Sequence, residues 1–267
     1  MLLIISVGII IATIATVWAF HDQEKLSPAD YNVKRAEQLV DDIFVFVAYV
    51  EGDKGIDKPY YCGARWTQQY GITIKPNGCL IKKNDKPISN AKAKEWAVCH
   101  ISKRVIPFFK YFDKRKMTDE EIYMTAMFMY NIGGETVTGK NLDGTIAGSP
   151  SRFFTEMNAG KDVEDCIDYM TGYRRSGGKR ANGLLKRHWV AGAIGLGIIN
   201  TQNVLELRPT QFYNTKNFGN YYFLNKKRQM IEKNGYYRLR YDDITINAFF
   251  NMNEAKNSQK SVRDILP

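Results

Sequence analysis

Three reactive side chains of different kinds fall close together in the stretch YVEGDKGIDKPYYCGARWTQQYG, residues 49 to 71: the carboxyl of Glu51, the thiol of Cys62 and the hydroxyl of Thr67. Glu51 follows the apolar run Val45-Phe46-Val47-Ala48-Tyr49-Val50. A carboxyl held against apolar surface keeps its proton to higher pH, because desolvation penalises the charged form. Such an acid can protonate a leaving oxygen while a second group positions a water, the two tasks that glycosidic hydrolysis requires. Taken alone, a glutamate at a helix end is more often a solvated charge. Asp53 and Asp57 are the nearest further carboxylates, but as loop residues in a Gly- and Lys-rich stretch they read as solvated. Trp66 and Tyr70 offer aromatic faces on which a sugar can stack, with core packing the plainer role for Trp66.

Other chemistries have little material. The histidines are His21, His100 and His188, and the cysteines are Cys62, Cys79, Cys99 and Cys166, with no CxxC or metal-ligand spacing among them. No metal and no cofactor is expected, and a Ser-His-Asp triad has few histidines to draw on.

The elements that must position Glu51, Cys62 and Thr67 are legible as period. From Asn32 through Val50 the apolar residues Val33, Ala36, Leu39, Val40, Ile43, Phe44 and Val47 recur every three or four positions, which predicts one helix delivering Glu51 to its end before Gly52 releases the chain. Residues 60 to 89 are short, aromatic and β-branched, broken by Gly71, Pro76-Asn77-Gly78 and Asn84-Asp85, and predict a small antiparallel sheet. Helical period returns over 90 to 114, kinked at Pro107, and over 118 to 132, 150 to 159, 162 to 175 and 182 to 199.

At the scale of the chain, 267 residues with 44% hydrophobic content suit one main core with appendages. Residues 2 to 20, LLIISVGIIIATIATVWAF, carry no charge and are long enough at helical rise to cross a bilayer. They predict a transmembrane anchor, with cleavage after Ala19 as the rival. Either alternative exports the rest, to the inner membrane facing the periplasm or beyond, where disulfides are permitted. The organisation expected is an anchor or signal at 1–20, a tether at 21–31, a main domain at 32–200 and a basic, aromatic-rich accessory segment at 201–267. The net charge of +10 favours a polyanionic neighbour, and export argues against nucleic acid as that neighbour.

The order and company of the residues around Glu51 add a resemblance. Glu51-Gly52, Tyr60-Tyr61-Cys62-Gly63, Trp66-Thr67 and Tyr70-Gly71 resemble the catalytic stretch of phage-type lysozymes, glycoside hydrolase family 24. Downstream, Met129-Tyr130-Asn131-Ile132-Gly133 is similar to the family's Tyr-Asn-Ile-Gly segment, and Phe153 through Gly160 to its Leu-Asn-x-Gly segment. Gly177-Gly178-Lys179 with Gly183-Leu184-Leu185-Lys186-Arg187 resembles its Gly-Gly and Gly-Leu-x-x-Arg pattern, so the likeness spans roughly residues 35 to 200. The hairpin departs from the family in carrying Gln69 where a glycine is usual and Ile72 where a histidine is common.

The resemblance implies an α+β, mostly α, lysozyme-like domain of two lobes with a small antiparallel hairpin sheet, here with an N-terminal transmembrane helix and a C-terminal accessory segment. It implies a muramidase acting on bacterial peptidoglycan by inversion, with Glu51 as general acid, Cys62 and Thr67 positioning water, and Asn131, Tyr70 and Trp66 binding substrate. Asn131 before Ile132-Gly133 is read equally as a helix-closing residue. The settings that fit are phage lysis and wall opening by a secretion or conjugation machine, whose partner would meet the C-terminal segment. Two alternatives stay open: a catalytically weak peptidoglycan-binding or scaffolding protein, and a lytic transglycosylase.

Overall fold

The computed structural model describes residues 25–51, 58–62, 65–173, 175–176, 179–180, 182–197, 199–202 and 204. The expected anchor, Asp53, Asp57, the Gly177-Gly178 pair and nearly all of the expected accessory segment lie outside these residues.

Helix α1 runs Pro28–Gln38. The Ser27 hydroxyl accepts the Asp30 amide and Pro28 occupies the first turn, where a missing N–H removes no intrahelical bond. The helix thus begins inside the stretch expected as a tether. The single helix predicted from the apolar spacing is two, because the chain leaves helical geometry at Leu39, whose amide bonds back to Arg35 and Glu37. Helix α2, Val40–Glu51, then buries Ile43, Phe44, Phe46, Val47 and Val50.

Strands β1 (Tyr60–Cys62) and β2 (Arg65–Thr67) form an antiparallel pair, with Tyr60 opposite Thr67 and Cys62 opposite Arg65. A 3₁₀ turn follows at Gln69–Gly71. The sheet predicted to run on toward residue 89 is reduced there to isolated bridges, Gln68 with Ile72 and Ile74 with Leu80. Side chains take over the tying: the Asp85 carboxylate accepts from the Lys75 ammonium at 2.7 Å and from the Lys82 amide at 2.7 Å.

Helix α3 spans Asn90–Arg104, capped by Ser89. The helix predicted to reach residue 114 stops at Arg104 and gives way to a 3₁₀ segment, Ile106–Tyr111. Pro107 sits in the first turn of that segment, where its lack of an amide is harmless, whereas inside an α-helix it would clash with the preceding turn. Helix α4, Asp119–Ile132, starts on a capping box of Thr118 and Glu121. Every residue from Glu121 to Met129 is buried, so α4 is the central helix rather than an amphipathic surface one.

The chain continues through α5 (Gly134–Thr138), α6 (Arg152–Asn158) and α7 (Val163–Thr171). The short pair β3 (Arg175–Ser176) and β4 (Lys179–Arg180) precedes α8 (Asn182–Gly195). The helix expected to reach residue 175 therefore ends at Thr171 and gives way to a second hairpin. Helix α8 packs along α4 and α7, while α2 packs on α3 and on α4. Phe46, Phe108, Phe109, Phe112, Phe128 and Phe153 are fully buried among them.

The architecture is mostly helical with small two-stranded antiparallel sheets. Among the described residues no helix is long and apolar enough to cross a membrane. Cys79, Cys99 and Cys166 are free thiols rather than the half-disulfides that export permitted.

Candidate active site

Glu51 is the last residue of α2, and the burial of that helix carries it inward: the residue is 6% exposed. Its carboxyl is enclosed from two directions. From α8, the Arg187 guanidinium donates to Oε2 at 2.8 Å. From the hairpin side, Gly71 lies so near that a Cβ built there would stand 3.0 Å from the Glu51 carboxyl carbon. Gly71 also has φ +73, so its lack of a side chain serves both backbone and contact. Burial favours the protonated acid and the guanidinium favours the carboxylate, so the site sets two opposed influences on one proton.

The turn over Glu51 is unusual in its own right. Tyr70 has φ 57 and ψ 26, a left-handed conformation seldom adopted by a bulky residue. Its carbonyl accepts the Tyr130 hydroxyl of α4 at 2.6 Å. Its ring meets Phe44 of α2 edge-on at 5.3 Å, so packing engages part of the ring expected to meet a sugar. The Tyr130 phenol is held well above the usual tyrosine range, by burial first and then by the negative charge of Glu51, with Arg187 opposing. It therefore remains a donor at any working pH.

Thr67 is buried at the β2 end nearest this turn, opposite Tyr60, and its hydroxyl donates to the Arg65 carbonyl over a long 3.4 Å. Cys62 pairs its backbone with Arg65 at the other end of the ladder; its side chain lies outside the described residues. Trp66 is half-buried and set edge-on to Tyr61 at 5.4 Å, and Tyr61 is 62% exposed. Trp66 therefore stands on the hairpin instead of joining the core. Asn131 donates to the Met127 carbonyl one helical turn back at 2.8 Å, a helix-closing contact before Gly133. No group of acidic, histidine or cysteine residues suited to a metal ion occurs among the described residues.

Arg187, Tyr130 and Gly71 are the members of the site that were not assigned roles from sequence. Each was nevertheless visible inside a quoted motif: Gly71 in Tyr70-Gly71, Tyr130 in Met129 through Gly133, and Arg187 at the close of Gly183 through Arg187.

A family model described as phage lysozyme matches residues 51–189. Among solved structures, the chain is similar to the endolysin from Escherichia coli O157:H7 phage FAHEc1, at 22% identity and a TM-score of 0.45, over 59% of this chain and 92% of that one. No curated protein matches the sequence. The family match opens on Glu51, closes on α8 two positions past Arg187 and takes in more than half of the sequence: the chain belongs to the phage lysozyme family.

Proposed function

We propose that this protein hydrolyses peptidoglycan, cutting the β-1,4 bond between N-acetylmuramic acid and N-acetylglucosamine with inversion. The observation that carries the reading is the Glu51 carboxyl, buried at the end of α2 beneath the Tyr70-Gly71 turn and bonded to Arg187. In the reaction Glu51 delivers its proton to the leaving glycosidic oxygen as the bond to the anomeric carbon breaks. Water, positioned by the Thr67 hydroxyl and by Cys62, adds to that carbon from the opposite face and passes its surplus proton to bulk water. Trp66, beside exposed Tyr61, supplies an aromatic surface for sugar, while Asn131 and the backbone of Tyr70 line the approach. Residues 2 to 20 anchor the enzyme at the inner membrane with its catalytic domain toward the wall, and residues 201 to 267 meet a partner of the envelope machinery.

Cys62 at a position where the family often has a carboxylate favours one rival, a lytic transglycosylase that needs a single acid. Mass spectra of digested peptidoglycan separate the two: reducing muramic ends accompany hydrolysis and 1,6-anhydro ends accompany transglycosylation. Glu51→Gln removes the proton donor and is expected to lower wall clearing by about 10²-fold or more with the fold retained. Clearing at the wild-type rate would put the acid elsewhere. Cys62→Asp is expected to keep or raise activity and Cys62→Ala to lower it; equal rates in the three proteins would remove Cys62 from the mechanism.

A further inference from the structure

The hairpin turn that covers Glu51 is held in a costly conformation. A tyrosine at φ 57 is strained relative to the ordinary regions, so it persists only where surrounding contacts over-determine it. Local backbone bonds in the turn include the Gln68 amide to the Ile72 carbonyl at 2.8 Å and the Ile72 amide to the Gln69 carbonyl at 3.4 Å. The second is long, and neither reaches outside the hairpin. A bond that does, besides Gln68 Nε2 to the Lys86 carbonyl at 3.0 Å, is Tyr130 Oη to the Tyr70 carbonyl, at 2.6 Å and across sixty positions of sequence. It joins central helix α4 to the peptide whose next residue, Gly71, rests against the Glu51 carboxyl.

We infer that Tyr130 is a positioning residue, its hydroxyl latching the left-handed Tyr70-Gly71 turn onto Glu51 and so fixing the direction in which the carboxyl can hand over its proton. Three features of the site agree with that role. The Tyr130 ring is itself wedged, edge-on to His100 of α3 at 5.1 Å, so its hydroxyl has a defined position. Gly71 admits no side chain without displacing Glu51, so the turn and the carboxyl share one boundary. Tyr130 also lies within electrostatic reach of both Glu51 and Arg187, which puts the latch in the site rather than beside it. Loss of the hydroxyl frees the turn to relax toward ordinary backbone angles and draws Gly71 off the carboxyl. Small misplacements of a reacting group are expensive in rate, about 10²-fold for roughly 1 Å.

The inference rests on Glu51 being the acid, and its test has readouts that do not depend on catalysis. Tyr130→Phe keeps the ring against His100 and deletes only the oxygen. Amide exchange at Gln68 and Ile72 should quicken by about tenfold or more in the full-length variant while exchange along α4 is unchanged. The ¹³C-carboxyl titration of Glu51 should move relative to wild type. On peptidoglycan, apparent kcat should fall roughly tenfold with KM within about twofold, because the groove that binds sugar is left intact. Gly71→Ala, which pushes on the carboxyl from the same side, should reproduce the titration shift and the kcat loss with Tyr130 in place. Unchanged exchange at Gln68 and Ile72 together with an unmoved Glu51 titration overturns the latch whatever the activity. A wild-type protein that cleaves no peptidoglycan sinks the proposed reaction, and the exchange and titration results still decide the latch.

Discussion

Arg187 makes the chemistry of Glu51 a question of balance at a single oxygen. The guanidinium is 2.8 Å from Oε2, and the Glu51 side chain is 4% exposed, so solvent screens the pair poorly. Replacing Arg187 with Gln removes the charge that favours the carboxylate and leaves burial, which favours the acid. A general acid works while protonated, so the alkaline limb of the pH–rate profile should move to higher pH in Arg187→Gln. The measurement is wall clearing across pH for both proteins, and an alkaline limb that stays put or moves down contradicts the assignment. Glu51 and Thr67 stood out as candidates in the sequence because their types, order and neighbours follow from chemistry and local pattern. The pairing with Arg187 was not legible, since 136 positions separate the two residues and no spacing rule relates the end of one helix to the middle of another.

At the scale of elements, the polar residue that matters most to the scaffold is Asn32. It is fully buried on α1 and ties that helix to the connection between the 3₁₀ segment and α4. Its side-chain amide donates to the Phe112 carbonyl at 2.7 Å and to the Arg115 carbonyl at 3.0 Å, and its oxygen accepts the Met117 amide at 2.8 Å. Asn32→Ala strands a buried donor and two acceptors, so a loss of about 2–4 kcal/mol is expected in urea unfolding. Lys34→Ala, on the exposed side of the same helix, should stay within about 0.5 kcal/mol. Periodicity found α1 and α2 but joined them, because the three-and-four spacing of apolar residues runs through the break at Leu39 without interruption. It read Asn32 only as a helix start, since a lone asparagine among apolar residues looks the same whether it faces water or three backbone partners. Helix α4 was placed to within one residue by its helical period, whereas the segment after Arg104 kept helical period through a change from α to 3₁₀ geometry that period cannot detect. The hairpin was legible from the short aromatic and β-branched run that opens at Tyr60, but not its extent, because past Thr67 the ladder shrinks to isolated bridges and Asp85 bonds Lys75 and Lys82 instead, which composition does not reveal.

For the molecule as a whole, one buried and one half-buried imidazole bear on how it meets acid. His188 on α8 is fully buried, edge-on to Phe128 at 5.0 Å, and neither ring nitrogen completes a hydrogen bond among the described residues. Burial pushes it down from 6.5 to about 3, with Arg187 adding to the shift and the Met170 carbonyl offering only a weak counterweight. His100 on α3 is pushed down to about 4, by burial and then by Arg104. The unfolded chain takes up these two protons near pH 6.5, and the folded chain does so only near pH 4 and pH 3. Between those limits the unfolded state holds the extra protons, so the fold is most favoured above about pH 6.5 and loses stability steadily as pH falls toward 3. Each group contributes a slope of roughly 1.4 kcal/mol per pH unit at most, and the His188 part extends lowest. His188→Leu keeps apolar packing against Phe128 and removes the buried nitrogens. Denaturant midpoints measured from pH 7 to pH 4 should therefore fall less steeply in His188→Leu, with the variant overtaking wild type on the acid side. Parallel curves for the two proteins would mean that His188 takes up its proton over the same pH range folded and unfolded, which would contradict an imidazole closed off from water between α8 and Phe128.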